Sequence, residues 1–237
     1  MTILYVTSDQ KRIGKTTICV TLVHKLRQCG IKATAFKVIS QPKTESNDDS
    51  DIEIYNKFLN NIPASHLIKL PNENVTSKDL DTLSADLINT SKDADVILIE
   101  ASNNIHKDVS AQIVATLDAQ ALVITNCHKN LSSNQIKSWD KVFGEHLSGF
   151  VINGLTRHLI KTAENESQSL PTPSGSNVYG FIPENRKLLG SSVNQIARHL
   201  KGRFVVHEEP SDILVEHLMV GGMGMDPGEL YFGTKNN

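Results

Sequence analysis

Short apolar runs recur along the chain at Ile3–Val6, Thr34–Val38, Val96–Ile99, Ala121–Thr125, Phe150–Ile152 and Val178–Phe181, and apolar residues at helical spacing fill most of the intervals between them. Strands buried on both faces carry continuous apolar runs, and strands that alternate with helices assemble into a parallel sheet covered on both sides. The pattern therefore predicts an α/β fold with a mostly parallel sheet and helices on both faces. The first helix is expected over residues 18–29, with Ile18, Leu22, Leu26 and Cys29 on its buried stripe, Cys19 and Val23 beside them, and Gly30 as its stop. Two stretches interrupt the alternation: Gln41–Ser50 is polar and acid-rich, and Glu164–Asn177 is rich in Ser, Pro, Gly and Asn. Both read as loops. Beyond Gly202 the pattern predicts a strand at Arg203–His207, a helix cap at Ser211-Asp212 and a helix over Ile213–Val220, ended by Gly221-Gly222-Met223-Gly224. The expected organisation is a main domain of residues 1–201 and a short C-terminal element of residues 202–237.

The join between the first strand and the first helix carries the most specific chemistry. Its sequence is Thr7-Ser8-Asp9-Gln10-Lys11-Arg12-Ile13-Gly14-Lys15-Thr16-Thr17. A loop that opens a helix directs backbone N–H groups at phosphate oxygens, and the helix N-terminus adds positive potential. Gln10, Lys11, Arg12, Ile13, Gly14, Lys15, Thr16 and Thr17 are the predicted phosphate-binding residues, with Lys15 reaching the terminal phosphates and the Thr16 hydroxyl available to magnesium. Asp9 stands where the G-x-x-x-x-G-K-[ST] pattern has its first glycine, whereas Gly14-Lys15-Thr16 is intact. The strand and helix that flank the loop meet the structural context such a motif requires, so the fold is expected to be P-loop NTPase-like, with ATP and Mg2+ as ligands.

Composition narrows the classes further. The 237 residues suffice for one large α/β domain, and 39% hydrophobic content suits a globular protein. A formal charge of -2 with interspersed signs gives neither a nucleic-acid-binding stripe nor a membrane-surface patch. Cys19, Cys29 and Cys127 are odd in number and form no C-x-x-C pair, which argues against a disulfide framework or structural zinc and for a reducing cytoplasm. No apolar run approaches the length of a membrane span, and the nine histidines lack metal-binding spacing.

In an open parallel sheet, ligands lie beyond the carboxyl ends of the strands, which directs attention to Lys37, Glu100 and Asn153. Glu100 follows Val96–Ile99 directly and is placed to hold magnesium with Thr16 and Asp51. A solvent-facing acid at a strand end is the plainer alternative, and Asp51, which follows Asp48 and Asp49 closely, can equally be part of a solvated acidic loop. Lys37 sits in the apolar stretch Ala35–Ile39, where it requires either a counter-ion or an outward-facing edge. Asn153, before Gly154, suits either an adenine-reading amide or an ordinary turn.

With these residues in order the chain resembles the dethiobiotin synthetase family over most of residues 1–201. That resemblance implies catalytic roles for Lys15 and Lys37, magnesium ligation by Thr16, Asp51 and Glu100, adenine recognition by Asn153, and a homodimer. The family follows its glutamate with a glycine-rich segment that receives the diamino acid substrate, whereas this chain has Ala101-Ser102-Asn103-Asn104, whose bulkier side chains should obstruct that pose. Lys11 and Arg12 are more basic than the family's loop residues, and Val38 stands where a proline follows the family's lysine. Tyr179–Arg186 and Val215–Met223 also resemble the N-terminal region of phosphotransacetylase-type proteins, where a DRTGG-type module follows a dethiobiotin-synthetase-like domain. The DRTGG motif is absent, so the C-terminal element is expected to be only the beginning of such a module.

Three functions fit these observations. The first is transfer of the ATP γ-phosphoryl group to a small acid, a carboxylate or carbamate formed on an amine acceptor. The second is a nucleotide-sensing module with little turnover. The third is amidation of the cobyrinic acid a,c-diamide synthase type, against which stands the isolation of Cys127 in Asn126-Cys127-His128, with no recognisable glutaminase domain around it.

Overall fold

The computed structural model describes residues 1–40, 54–55, 58–59, 67–70, 75–102, 105–126, 133–167, 177–185, 190–204 and 213–215. The chain divides into two compact units, Met1–Glu184 and Asn185–Asn237.

In the first unit the strands are β1 (Thr2–Ser8), β2 (Ala33–Ser40), β3 (Leu67–Leu70), β4 (Val96–Ala101), β5 (Gln120–Thr125), β6 (Leu147–Leu155) and β7 (Asn177–Pro183). They form one seven-stranded sheet in the order β3-β2-β4-β1-β5-β6-β7. Every neighbouring pair is parallel. The helices between them are α1 (Lys15–Gln28), α2 (Ser77–Thr90), α3 (Lys107–Thr116), α4 (Ser133–Phe143) and α5 (Ile160–Ser167).

Strand alternation sorts the core into two layers. Val6, Ala33, Ala35, Leu98, Leu122 and Ile124 face α1 and pack with Ile18, Cys19, Val20, Val23, Tyr55 and Leu59. Tyr5, Phe36, Val38, Ile97, Ile99 and Val123 point to the opposite face, where they meet Leu80, Leu83, Leu87, Ile113, Ile136 and Trp139 from α2, α3 and α4. The sheet is thus covered on both sides, as the apolar runs require.

Local signals explain the helix ends. Gly30, at φ 81°, follows the last turn of α1. Its N–H bonds the Arg27 carbonyl at 3.0 Å while the Ile31 N–H bonds that of Leu26 at 3.0 Å, the paired closure of a Schellman motif. Thr76 and Asp79 form a capping box that starts α2.

Four expectations need correction. The most buried positions of α1 include Ile18, Cys19, Val20 and Val23, whereas Leu22 and Leu26 are only partly buried and Cys29 is an exposed cap residue. The deeply covered part of this helix is its first half, beneath the loop. Residues 164–167 continue α5 rather than opening a loop, and Asn177 already belongs to β7; residues 168–176 lie outside the described residues. In the second unit, Arg203 and Phe204 are not in a strand, and residues 205–207 are outside the described set. Leu214 pairs antiparallel with Ser192 beside the short helix α6 (Val193–His199), so no helix begins at Ile213. The Ser211-Asp212 cap and residues 216–224 fall outside the described residues. Among the described residues no helix is long and apolar enough to cross a membrane.

Candidate nucleotide site

The loop from β1 to α1 turns on two left-handed residues, Arg12 at φ 57° and Gly14 at φ 88°. Gly14 is required there on two counts: its φ suits glycine, and a Cβ added to it would lie 2.6 Å from Asn153 Nδ2. That amide donates to the Ile13 carbonyl at 2.8 Å, tying the loop backbone to the end of β6. Gly14 caps α1 without any side-chain hydrogen bond, and the first turn holds no acidic residue. The α1 N-terminus is therefore not capped by a side chain of its own, as a helix that receives an anion requires.

Lys15 and Thr16 open α1 and are buried, 6% and 8% exposed. Lys15 Nζ donates to Ser8 Oγ at 2.8 Å, and the Ser8 hydroxyl donates to the Gln10 carbonyl at 2.8 Å. The lysine thus lies back along its own loop, against the last residue of β1.

Register brings the acid and the second lysine together. Lys37 on β2 pairs with Glu100 on β4, and Glu100 pairs with Val6 on β1, so both charged side chains emerge on the α1 face just below the loop. Glu100 is 2% exposed and Lys37 6%. Their closest charged atoms, Lys37 Nζ and Glu100 Oε1, are 3.8 Å apart. A single charge so buried costs several kcal/mol, which the partner of opposite sign offsets. Of the two readings of Lys37, the counter-ion is realised and the outward-facing edge is not.

Glu100 is the hub of the arrangement. Oε1 accepts from the Thr16 hydroxyl at 2.7 Å, and Oε2 accepts from the Tyr55 hydroxyl at 2.6 Å. Because Thr16 donates its proton to Glu100, the hydroxyl oxygen keeps its lone pairs for a cation. The donor set, a hydroxyl oxygen beside a carboxylate at the foot of a phosphate loop, fits magnesium. Burial, then Cys19 and Glu100, push the Tyr55 hydroxyl far above its ordinary range, so it stays a neutral donor. Burial and the nearby Glu100 likewise push the Cys19 thiol up and keep it protonated.

Thr16, Lys37 and Glu100, all predicted, therefore meet at one point, Lys15 turns toward Ser8, and Asn153 reaches the same loop through the Ile13 carbonyl. Lys11, Arg12 and Thr17 are exposed, while Ile13 is buried into the α1 layer. Asp51, Cys127 and His128 lie outside the described residues. Tyr55 and Ser8 were missed. Ser8 lies within the motif but not at one of its patterned positions, and Tyr55 has in sequence only the scattered apolar neighbours Ile54, Phe58 and Leu59, with Asn56 and Lys57 between them. At the end of β5, Thr125 Oγ1 and Asn126 Oδ1 are buried with no hydrogen-bond partner among the described residues.

A lysine-bearing loop at the carboxyl edge of a parallel sheet in this strand order makes the chain a P-loop NTPase-type ATP- or GTP-binding domain. Its sequence from residue 2 to 192 matches the AAA domain family, and the chain belongs to that family. Among solved structures, chloroplast FtsY from Physcomitrella patens shares the fold with a TM-score of 0.51 at 15% identity, over 78% of this chain and 59% of that one. The MinD cell division protein of Aquifex aeolicus in its MinC:MinD complex aligns over 80% of this chain and 84% of that one, at 19% identity and a TM-score of 0.48.

Proposed function

We propose that the chain binds ATP with Mg2+ and transfers the γ-phosphoryl group to a carboxylate or carbamate, in the manner of the dethiobiotin synthetase family it resembles. The observation that carries this reading is a second buried lysine, Lys37, set against Glu100, the acid that also accepts the Thr16 hydroxyl, in addition to the buried loop lysine Lys15. Simple nucleotide binding needs Lys15; a second buried cation beside the strand-end acid suits charge that develops during transfer. In the step, an acceptor oxygen attacks the γ-phosphorus, the bond to the β–γ bridging oxygen breaks, and ADP leaves with the electron pair. Lys15 and Lys37 neutralise the γ-phosphoryl oxygens as this charge spreads. Magnesium, when bound, would be held by Thr16 and Glu100 and would supply the remaining positive charge. Asn153 fixes the loop through Ile13 and stands at the strand end where the family reads adenine, and a homodimer and a cytoplasmic location belong to the same reading.

A nucleotide sensor with little turnover is the second reading. It is favoured by Ala101-Ser102-Asn103-Asn104, which takes the place of the family's glycine-rich acceptor segment. ADP release measured with ATP, Mg2+, bicarbonate and a panel of vicinal diamino acids separates the two. Acceptor-dependent ADP release that Lys37→Ala abolishes without loss of ATP binding supports transfer. No acceptor-dependent release, with nucleotide changing the oligomeric state, supports sensing and rejects transfer.

A further inference from the structure

Tyr55 reaches the site from a segment that bears no part of the phosphate-loop motif. It lies in a helical turn with Ile54, is 5% exposed, and packs in the apolar cluster that contains Ile13, Ile18, Cys19 and Leu59. Its ring is therefore held by packing on several sides, and its hydroxyl donates to Glu100 Oε2 at 2.6 Å. Short O–H···O⁻ bonds of this kind are among the stronger ones in proteins. The terminal torsion of a glutamate is broad and rotates readily when only one oxygen is engaged. In Glu100 each oxygen has its own donor, Thr16 on Oε1 and Tyr55 on Oε2, and Lys37 stands on the Oε1 side.

We infer that Tyr55 is a positioning residue for the magnesium site: by holding Oε2 it fixes the carboxylate plane of Glu100, so that Oε1 stays beside Thr16 where the cation is received. The assignment rests on the magnesium-nucleotide reading of the site. It differs from a packing role in that the hydroxyl, not the ring, carries the effect.

The test uses the full chain as wild type, Tyr55→Phe, Glu100→Gln and the double variant, with a fluorescent ATP analogue titrated at graded Mg2+ and in EDTA. Tyr55→Phe keeps the ring, and a circular dichroism melt verifies that the fold is retained. The expected result is that Tyr55→Phe raises the Mg2+ concentration for half-maximal binding about tenfold or more, the effect of losing one hydrogen bond to a charged group. Binding in EDTA stays at the wild-type level, and Tyr55→Phe adds nothing in the Glu100→Gln background. An unchanged Mg2+ requirement, an equal shift in both backgrounds, or an equal loss in EDTA overturns the assignment. Absence of any Mg2+-dependent binding by the wild type is a different outcome: it overturns the underlying reading of the site, and this assignment with it.

Discussion

Gly14→Ala is the substitution whose cost follows most directly from geometry. The residue sits at φ 88°, where an L side chain costs roughly 1–2 kcal/mol. An added Cβ would also come within 2.6 Å of Asn153 Nδ2, closer than such atoms approach, so the amide must swing away. That movement breaks its 2.8 Å bond to the Ile13 carbonyl, worth about 1 kcal/mol. Together the two effects amount to roughly 2–3 kcal/mol, or about 30- to 150-fold in the population of the loop shape that receives phosphate. The unliganded loop can relax part of this strain, so the loss should appear in nucleotide affinity more than in melting temperature. Calorimetric titration with ATP and Mg2+ on wild type, Gly14→Ala, Asn153→Ala and the double variant measures it. In the Asn153→Ala background the collision is absent, and the effect of Gly14→Ala should shrink by about 1 kcal/mol, the share assigned to the amide contact. Affinity within about twofold of wild type for Gly14→Ala, or an identical loss in both backgrounds, would show that neither the left-handed φ nor the Asn153 contact constrains the loop.

Further predictions concern the sheet and the core. Gly149→Ala would bring a Cβ to 2.1 Å from the Asn177 carbonyl oxygen and 2.8 Å from Tyr179 Cε2, so β6 and β7 must separate; urea denaturation should show a loss of about 1–3 kcal/mol, and an unchanged midpoint would disprove the close approach. Tyr5→Phe removes a buried hydroxyl that donates to Ser110 Oγ at 3.0 Å and should cost about 1 kcal/mol in the same assay, with no change meaning that the bond contributes nothing. Burial raises the Tyr5 and Tyr55 hydroxyls above their ordinary value of 10.0. The folded chain therefore keeps protons that the unfolded chain releases, so the contribution of these two tyrosines to stability is constant below about pH 10 and falls as pH rises above it. Tyr5→Phe should reduce that alkaline slope, and an identical slope in the variant would count against the burial effect.

Much of the architecture was legible because parallel strands covered on both faces leave largely apolar runs, as β1, β4 and β5 do; β2 keeps such a run around Lys37, and β7 has one although none of its residues is buried. By contrast, β3 has only Leu67–Leu70, with Lys69 within it, too short a run to show a period. The α1 stripe was misplaced because periodicity identifies apolar faces but not how deep each turn lies. Under the loop the first turn is buried despite carrying Lys15 and Thr16, while the last turn emerges at Cys29. Glu100 and Lys37 could be picked out one at a time from their positions at strand ends, but their pairing needed the β2–β4 register, which no linear spacing contains. Tyr55 was not legible at all: its partner is 45 residues away, and its type and neighbours are those of an ordinary core residue.

Calorimetric titration of ATP into wild type and Lys15→Ala, each with and without Mg2+, measures whether Lys15, at the start of α1, holds the terminal phosphates of a magnesium nucleotide as proposed. The expected result is saturable binding by the wild type that Mg2+ strengthens and that Lys15→Ala weakens at least about tenfold while the variant keeps its fold. Equal affinities in the two proteins, or no binding by the wild type at millimolar ATP with Mg2+ present, would contradict it.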